Sequence, residues 1–174
     1  MYANRPIYFS YLVARQDSPF AALADLRGRR WGFNEPGSFS GYAIVRHHLA
    51  QLGETESFFG EWVESGSHFN SLRLLLNGRI DAAALDSTLF DYWGNHHPEL
   101  IQNVRIIDTL GPNPSPPMVI SGHVPSELRQ ELQQLLLNLH HSAAGRMILA
   151  SSGVRRFTAV SDQTYQSLYE MSKV

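Results

Sequence analysis

Up to residue 110 the chain alternates between runs of strand character and runs of helical periodicity. Residues 7–14 (IYFSYLVA) are rich in β-branched and aromatic side chains and predict a strand, as do residues 30–33 (RWGF) and 61–64 (EWVE). Residues 80–85 (IDAAAL) are nearly continuously apolar, the pattern of a strand buried on both faces, and residues 104–110 predict another. Helical segments lie between them. Ser18-Pro19 opens a short one through Leu26, closed by Gly28. Tyr42, Val45, Leu49 and Leu52 recur at helical spacing over residues 40–52 and stop at Gly53. Leu72, Leu75 and Leu76 share a face over residues 68–77, ended by Gly78, and a short helix covers residues 87–93. Strands alternating with helices predict an α/β fold with a mostly parallel sheet.

After residue 110 the pattern changes. Gly111-Pro112-Asn113-Pro114-Ser115-Pro116-Pro117 is a stiff crossing and marks a boundary. Beyond it, residues 118–121 predict a short strand and residues 125–139 an amphipathic helix carrying Leu128, Leu132, Leu135, Leu136 and Leu139 on its apolar side. Further helices are expected over residues 142–151 and 162–171.

The chain has 174 residues, 43% hydrophobic and 17% charged, with a net charge of −2 and no basic stripe, so nucleic-acid binding has little electrostatic support. The absence of cysteine excludes disulfides, thiolate metal sites and cysteine nucleophiles. No apolar run is long enough to span a bilayer, and Met1-Tyr2-Ala3-Asn4-Arg5-Pro6 lacks the apolar core of a signal peptide. The expectation is either a cytoplasmic protein or a mature or shortened form.

The most informative stretch is Pro36-Gly37-Ser38-Phe39-Ser40-Gly41-Tyr42, between a strand and a helix. Free N–H groups and the positive end of the dipole at a helix start attract anions. Gly37 and Gly41 permit close backbone approach, and the hydroxyls of Ser38 and Ser40 add donors. Either one serine caps the helix or both face an anion. His68, after Gly66-Ser67, opens the next helix; helix starts in a parallel sheet gather at one strand edge, so His68 is either a cap or a donor in the same cleft. Asp86-Ser87-Thr88 ends a strand at that edge, where Asp86 or Ser87 caps a helix or meets a ligand, whereas Asp81 at the opposite end reads as structural. Tyr8 and Tyr11 lie on opposite faces of the first strand, so only one can face a cleft.

Catalytic patterns fail here. Phe39, not serine, holds the centre of Gly37 to Gly41, which rules out a nucleophile elbow, and no Gly-Lys-Ser/Thr phosphate loop exists. The pairs His47-His48, His96-His97 and His140-His141 point in different directions on a helix, with no ligand at i+4, so no metal site is expected.

Tyr8-Phe9-Ser10, Arg15-Gln16-Asp17-Ser18-Pro19, Asp25-Leu26-Arg27-Gly28, Glu35-Pro36-Gly37-Ser38-Phe39-Ser40-Gly41, Ser65-Gly66-Ser67-His68 and Asn77-Gly78-Arg79-Ile80-Asp81-Ala82 follow one another, with Phe157, Val160 and Tyr165 near the end. Their order and spacing resemble the phosphate/phosphonate-binding (PhnD-like) component of ABC transporters, a type 2 periplasmic-binding-protein fold. The resemblance implies an extracytoplasmic two-lobed protein that holds a small anionic solute and delivers it to a membrane permease, with no cofactor and no chemistry on the ligand. It implies ligand contacts from Ser38, Phe39, Ser40, Gly41, His68 and Tyr8, with Asp86 standing near the place of an acidic residue that holds a ligand amine. Thr88 stands where that acid is expected and Phe39 where a hydroxyl is common, which points away from an aminophosphonate.

The resemblance further implies a complete lobe over residues 14–110 and a partial one from residues 1–13 and 111–174. Family members carry another ~80–100 residues ahead of the position of Tyr8, the size of half a lobe. An uncovered sheet edge and apolar face predict a homodimer. Two other functions compete: a sensory or interaction module of the same fold, and a hydrolase using Ser38 or Ser40 with His68 and Asp86, for which no supporting motif exists.

Overall fold

The structure, a computed structural model, describes residues 5–171; the reading of the opening segment at residues 1–4 and the last three residues lie outside it. The chain divides into two compact units. The larger spans Tyr8–Asn113 with the helix beginning at Gln166, and the smaller holds Pro114–Tyr165 with the described residues up to Ile7.

The five strands are β1 (Ile7–Arg15), β2 (Arg30–Phe33), β3 (Glu61–Glu64), β4 (Ala82–Asp86) and β5 (Val104–Pro114), in the sheet order β3-β2-β4-β1-β5. The helices of the larger unit are α1 (Ile44–Gln51), α2 (His68–Leu76), α3 (Ser87–His96) and the short α4 (Pro98–Ile101). β2 runs parallel to both β3 and β4, whereas β1 is antiparallel to β4, with Ser10 opposite Asp86 and Ala14 opposite Ala82. The sheet is therefore mixed.

Period-two alternation explains the core. Along β1, Leu12 and Ala14 join one apolar cluster and Val13 the other; along β4, Ala82 and Ala84 join the first and Ala83 and Leu85 the second. The first cluster is closed by Ile44, Val45 and Leu49 of α1, and the second by Leu72 and Leu75 of α2 and Trp93 of α3. β4 is made of alanines because it sits at the centre, buried on both faces beside the fully buried Trp31, which stacks on Phe59 at 4.6 Å. Gly53 and Gly78 follow α1 and α2 with φ of 74° and 66°, the left-handed conformation in which glycine ends a helix.

Several expectations are corrected. The helix expected through Leu26 is only a 3-10 turn at Leu23–Leu26, because the Asp25 carboxylate turns back to accept the N–H groups of Ala21 and Ala22 at 2.8 and 3.0 Å. The helix expected at residue 40 begins as a π-helical turn, Phe39–Ala43, ahead of α1. The proline crossing is not wholly irregular: Pro112 and Pro114 belong to β5, an edge strand where a missing N–H costs no ladder bond on the open side.

The smaller unit is held by Ser115 N–H donating to the Pro6 carbonyl at 2.8 Å and by the Tyr165 hydroxyl donating to the Ser115 carbonyl at 3.1 Å. It carries α5 (Ser126–Asn138) and α6 (Ala143–Ser151), followed by a 3-10 turn at Asp162–Tyr165 that leads to α7 (Gln166–Met171). No strand forms at residues 118–121; Met118, Val119 and Ile120 are exposed. The amphipathic α5 buries none of its residues, and Leu128, Leu132 and Leu135 face solvent. Among the described residues no helix is long and apolar enough to cross a membrane.

Candidate functional site

Strands β2, β3 and β4 run the same way, so the turns after their C-terminal ends open at one edge of the sheet. The turn after β2 leads to the Phe39–Ala43 segment, the turn after β3 leads to α2 at His68, and β4 ends at Asp86, which begins α3. Because β1 is antiparallel to β4, its first residues arrive at this same edge, and Tyr8 is the contribution of that strand. All four segments belong to the larger unit.

At the centre, Ser40 Oγ lies 3.0 Å from His68 Nε2, both side chains buried. The Tyr8 side chain, 3% exposed, hydrogen-bonds to Ser40 as well. A single hydroxyl thus joins a phenol from β1 to an imidazole from α2. Burial and then the Asp86 charge push the Tyr8 hydroxyl well above its ordinary range, opposed by the Ser40 hydrogen bond. Burial holds His68 below the ordinary histidine value, opposed by the Asp86 carboxylate and the Ala84 carbonyl. His68 is neutral near neutral pH, and Tyr8 is a phenol, never a phenolate.

Ser38 serves as the N-cap of the turn: its Oγ accepts the Gly41 N–H at 3.1 Å and an amide N–H of Asn34 at 3.3 Å. With two bonds accepted, its own O–H is left to donate elsewhere. Gly41 is required here because a Cβ would stand 2.8 Å from Asn34 Oδ1. Its N–H is spent on Ser38, so the first-turn amides left to meet a ligand are those of Phe39 and Ser40, which have no earlier carbonyl in their own helix. The Phe39 side chain packs against the core, and only its backbone can contribute. Asp86 caps α3, Oδ1 accepting the Thr88 N–H at 2.7 Å and the Thr88 hydroxyl at 2.6 Å, while its charge acts on both Tyr8 and His68.

Tyr8, Ser38, Phe39, Ser40, Gly41, His68 and Asp86 therefore gather at one edge, without a lysine or arginine among them. Asp81 lies apart, paired with Arg30 through a guanidinium N–H at 2.7 Å and holding the Arg30 backbone N–H at 2.9 Å. Sequence reasoning missed Asn34, buried behind the turn, and, although it named Ser87 as a cap or ligand contact, it missed that the fully buried Ser87 Oγ accepts the Phe9 N–H at 2.9 Å. The place of Asn34 at the head of the Asn34-Glu35-Pro36-Gly37 turn was the one available signal for the first; nothing local marked the Ser87–Phe9 bond. A surface depression of about 450 Å³ bordered by Arg46, Glu54 and Glu56 contains none of the site residues. Among the described residues no group of three or more His, Asp or Glu is placed to hold a metal ion.

The fold has close counterparts. PhnD1 from Prochlorococcus marinus (MIT 9301), solved with methylphosphonate, superposes with a TM-score of 0.88 at 21% identity over 97% of this chain and 66% of its own. A binding protein component of an ABC phosphonate transporter from Pseudomonas aeruginosa gives 0.87 at 20% identity, over 98% of this chain and 58% of its own. The periplasmic aliphatic sulphonate binding protein SsuA from Escherichia coli gives 0.56 at 15% identity, over 94% and 58%. The chain thus spans about three-fifths to two-thirds of the length of these solved relatives. Residues 2–165 match the family described as ABC transporter, phosphonate, periplasmic substrate-binding protein, a family of solute-binding components and not of enzymes, and the chain belongs to it.

Proposed function

We propose that this chain binds a small tetrahedral oxyanion, a phosphonate or a phosphate-like solute, as part of the extracytoplasmic binding component of an ABC transporter, and passes it to the membrane permease. The observation that carries the reading is the convergence of Tyr8, Ser40 and His68 at the start of the helical segment that Ser38 caps. The Ser38 hydroxyl, the first-turn amides of Phe39 and Ser40, and the Tyr8–Ser40–His68 set are neutral donors suited to an anion's oxygens. Asp86 adds an acceptor beside them, suited to a ligand that keeps an acidic proton. Family membership supports the same reading.

Thermal stability in the presence of millimolar methylphosphonate, phosphate, phosphite or sulfate tests it. A ligand at a hundred times its dissociation constant stabilises by about 2.7 kcal/mol, so at least one anion raises the melting temperature by several degrees, and Ser40→Ala and His68→Ala each remove the rise. No shift with any of the four anions overturns the proposal.

The exposed apolar face of α5 supports a second copy of the chain as a further partner, since leucines at that spacing pack against one another across a helix pair.

A further inference from the structure

We propose, resting on the reading above, that anion binding is accompanied by uptake of one proton at His68, which turns the Ser40–His68 hydrogen bond around. The Ser40 hydroxyl has one proton and two neighbours, the Tyr8 side chain and His68 Nε2 at 3.0 Å. It can donate that proton to the imidazole or to a ligand, never to both.

The resting direction follows from the surroundings of the ring. The Ala84 carbonyl of β4 acts on His68 and is an acceptor only. Nε2 is engaged by Ser40, and Nδ1 is buried and makes no hydrogen bond of ordinary geometry, which leaves it as the nitrogen on which that carbonyl favours a hydrogen. A neutral ring therefore carries its hydrogen on Nδ1 and presents a lone pair at Nε2, and Ser40 donates to it. In that state the site offers an anion one donor fewer than its composition promises. The burial that depresses the basicity of the ring keeps the empty site in this form.

When an oxyanion arrives, a proton from solvent adds to Nε2. The imidazolium donates through Nε2–H to Ser40 Oγ, and the Ser40 O–H swings to a ligand oxygen. No other atom changes partner. The charge that burial disfavours is now flanked by two anions, the ligand and the Asp86 carboxylate, which acts on His68 from the end of β4. The other titratable group on this chain of bonds is Tyr8 of β1, whose phenol stays protonated throughout. One added proton thus converts a self-satisfied hydrogen bond into a donor aimed at the ligand.

Two measurements decide the matter. Isothermal titration of methylphosphonate in buffers of differing ionisation enthalpy counts protons taken up, and the ligand's own protons cancel between wild type and His68→Gln. Wild type is expected to take up about one proton more at pH 7.5, with its advantage in affinity over the variant growing up to tenfold per unit fall in pH. Nitrogen-15 spectra of the histidine rings in wild type report the state of His68 directly, even where the variant no longer binds. The expected change is from one protonated nitrogen, Nδ1, to two on saturation. A ring that stays neutral in the saturated complex, or equal proton counts, overturns the inference and leaves anion binding intact; absence of binding by wild type overturns the functional reading itself.

Discussion

Ser40 Oγ and His68 Nε2, 3.0 Å apart and 28 residues apart in sequence, tie the starts of two helices together beneath the sheet edge. The burial of His68 at that junction has a consequence for the empty protein. His68 is less basic folded than unfolded, so below the ordinary histidine value near 6.5 the unfolded chain holds the extra proton. Its contribution to stability is complete above that pH and is lost as pH falls from there toward the lower folded value. Chemical denaturation at pH 7.5 and 5.5 should show His68→Gln losing less stability than wild type over this interval.

Gly41 and Asn34 define a second test. Gly41→Ala drives a methyl group to 2.8 Å from Asn34 Oδ1, which opens the capped turn. Anion-dependent stabilisation should vanish and stability fall by about 1–3 kcal/mol, the range for overpacking, as read by urea denaturation. Adding Asn34→Ala to Gly41→Ala should recover part of the stability, because the clashing atom is gone.

Ser87 offers a test outside the ligand set. Its Oγ accepts the Phe9 N–H at 2.9 Å and is fully buried. Ser87→Ala removes that hydrogen bond and should cost about 0.5–1.5 kcal/mol. Hydrogen exchange at Phe9 should accelerate by a similar factor.

Arg30 and Asp81 hold the far end of the same strands. The guanidinium and its hydrogen bonds keep the Asp81 carboxyl below the ordinary carboxylate range, so the ion pair's stabilisation is present above the unfolded value and is lost as pH falls through the lower folded value. Discounting for partial solvent screening, Asp81→Asn should cost about 1 kcal/mol at pH 7 and progressively less as pH falls below the ordinary carboxylate value.

The leucines of α5 make an association test. Leu132→Glu with Leu135→Glu places charge on the exposed stripe. Light scattering should show concentration-dependent dimers in wild type and monomers in the double variant. A wild type that stays monomeric to millimolar concentration removes the case for a second copy.

The strand and helix positions that build the sheet edge were legible because short β-branched runs, glycine stops and serine-glycine turns are local signals. The same cues marked Ser38, Ser40 and His68 as helix starts following strands. Strand direction was not legible: alternation has period two whichever way a chain runs, so the antiparallel placement of β1 had no trace in the pattern. The Phe9–Ser87 bond joins residues 78 apart and has no local signature. Residues 118–121 looked like a strand from composition, but a strand needs a neighbour to accept its hydrogen bonds, and none forms there in the described structure.

β1 is the earliest strand in the chain, yet it lies between β4 and β5. Tyr8 reaches Ser40 across the sheet by way of β4, which lies between β1 and β2. Capture of a solute would then report that the whole larger unit has been assembled. A half-built chain with both helix starts in place would still lack the phenol, and would go unrewarded by the ligand that stabilises its finished form.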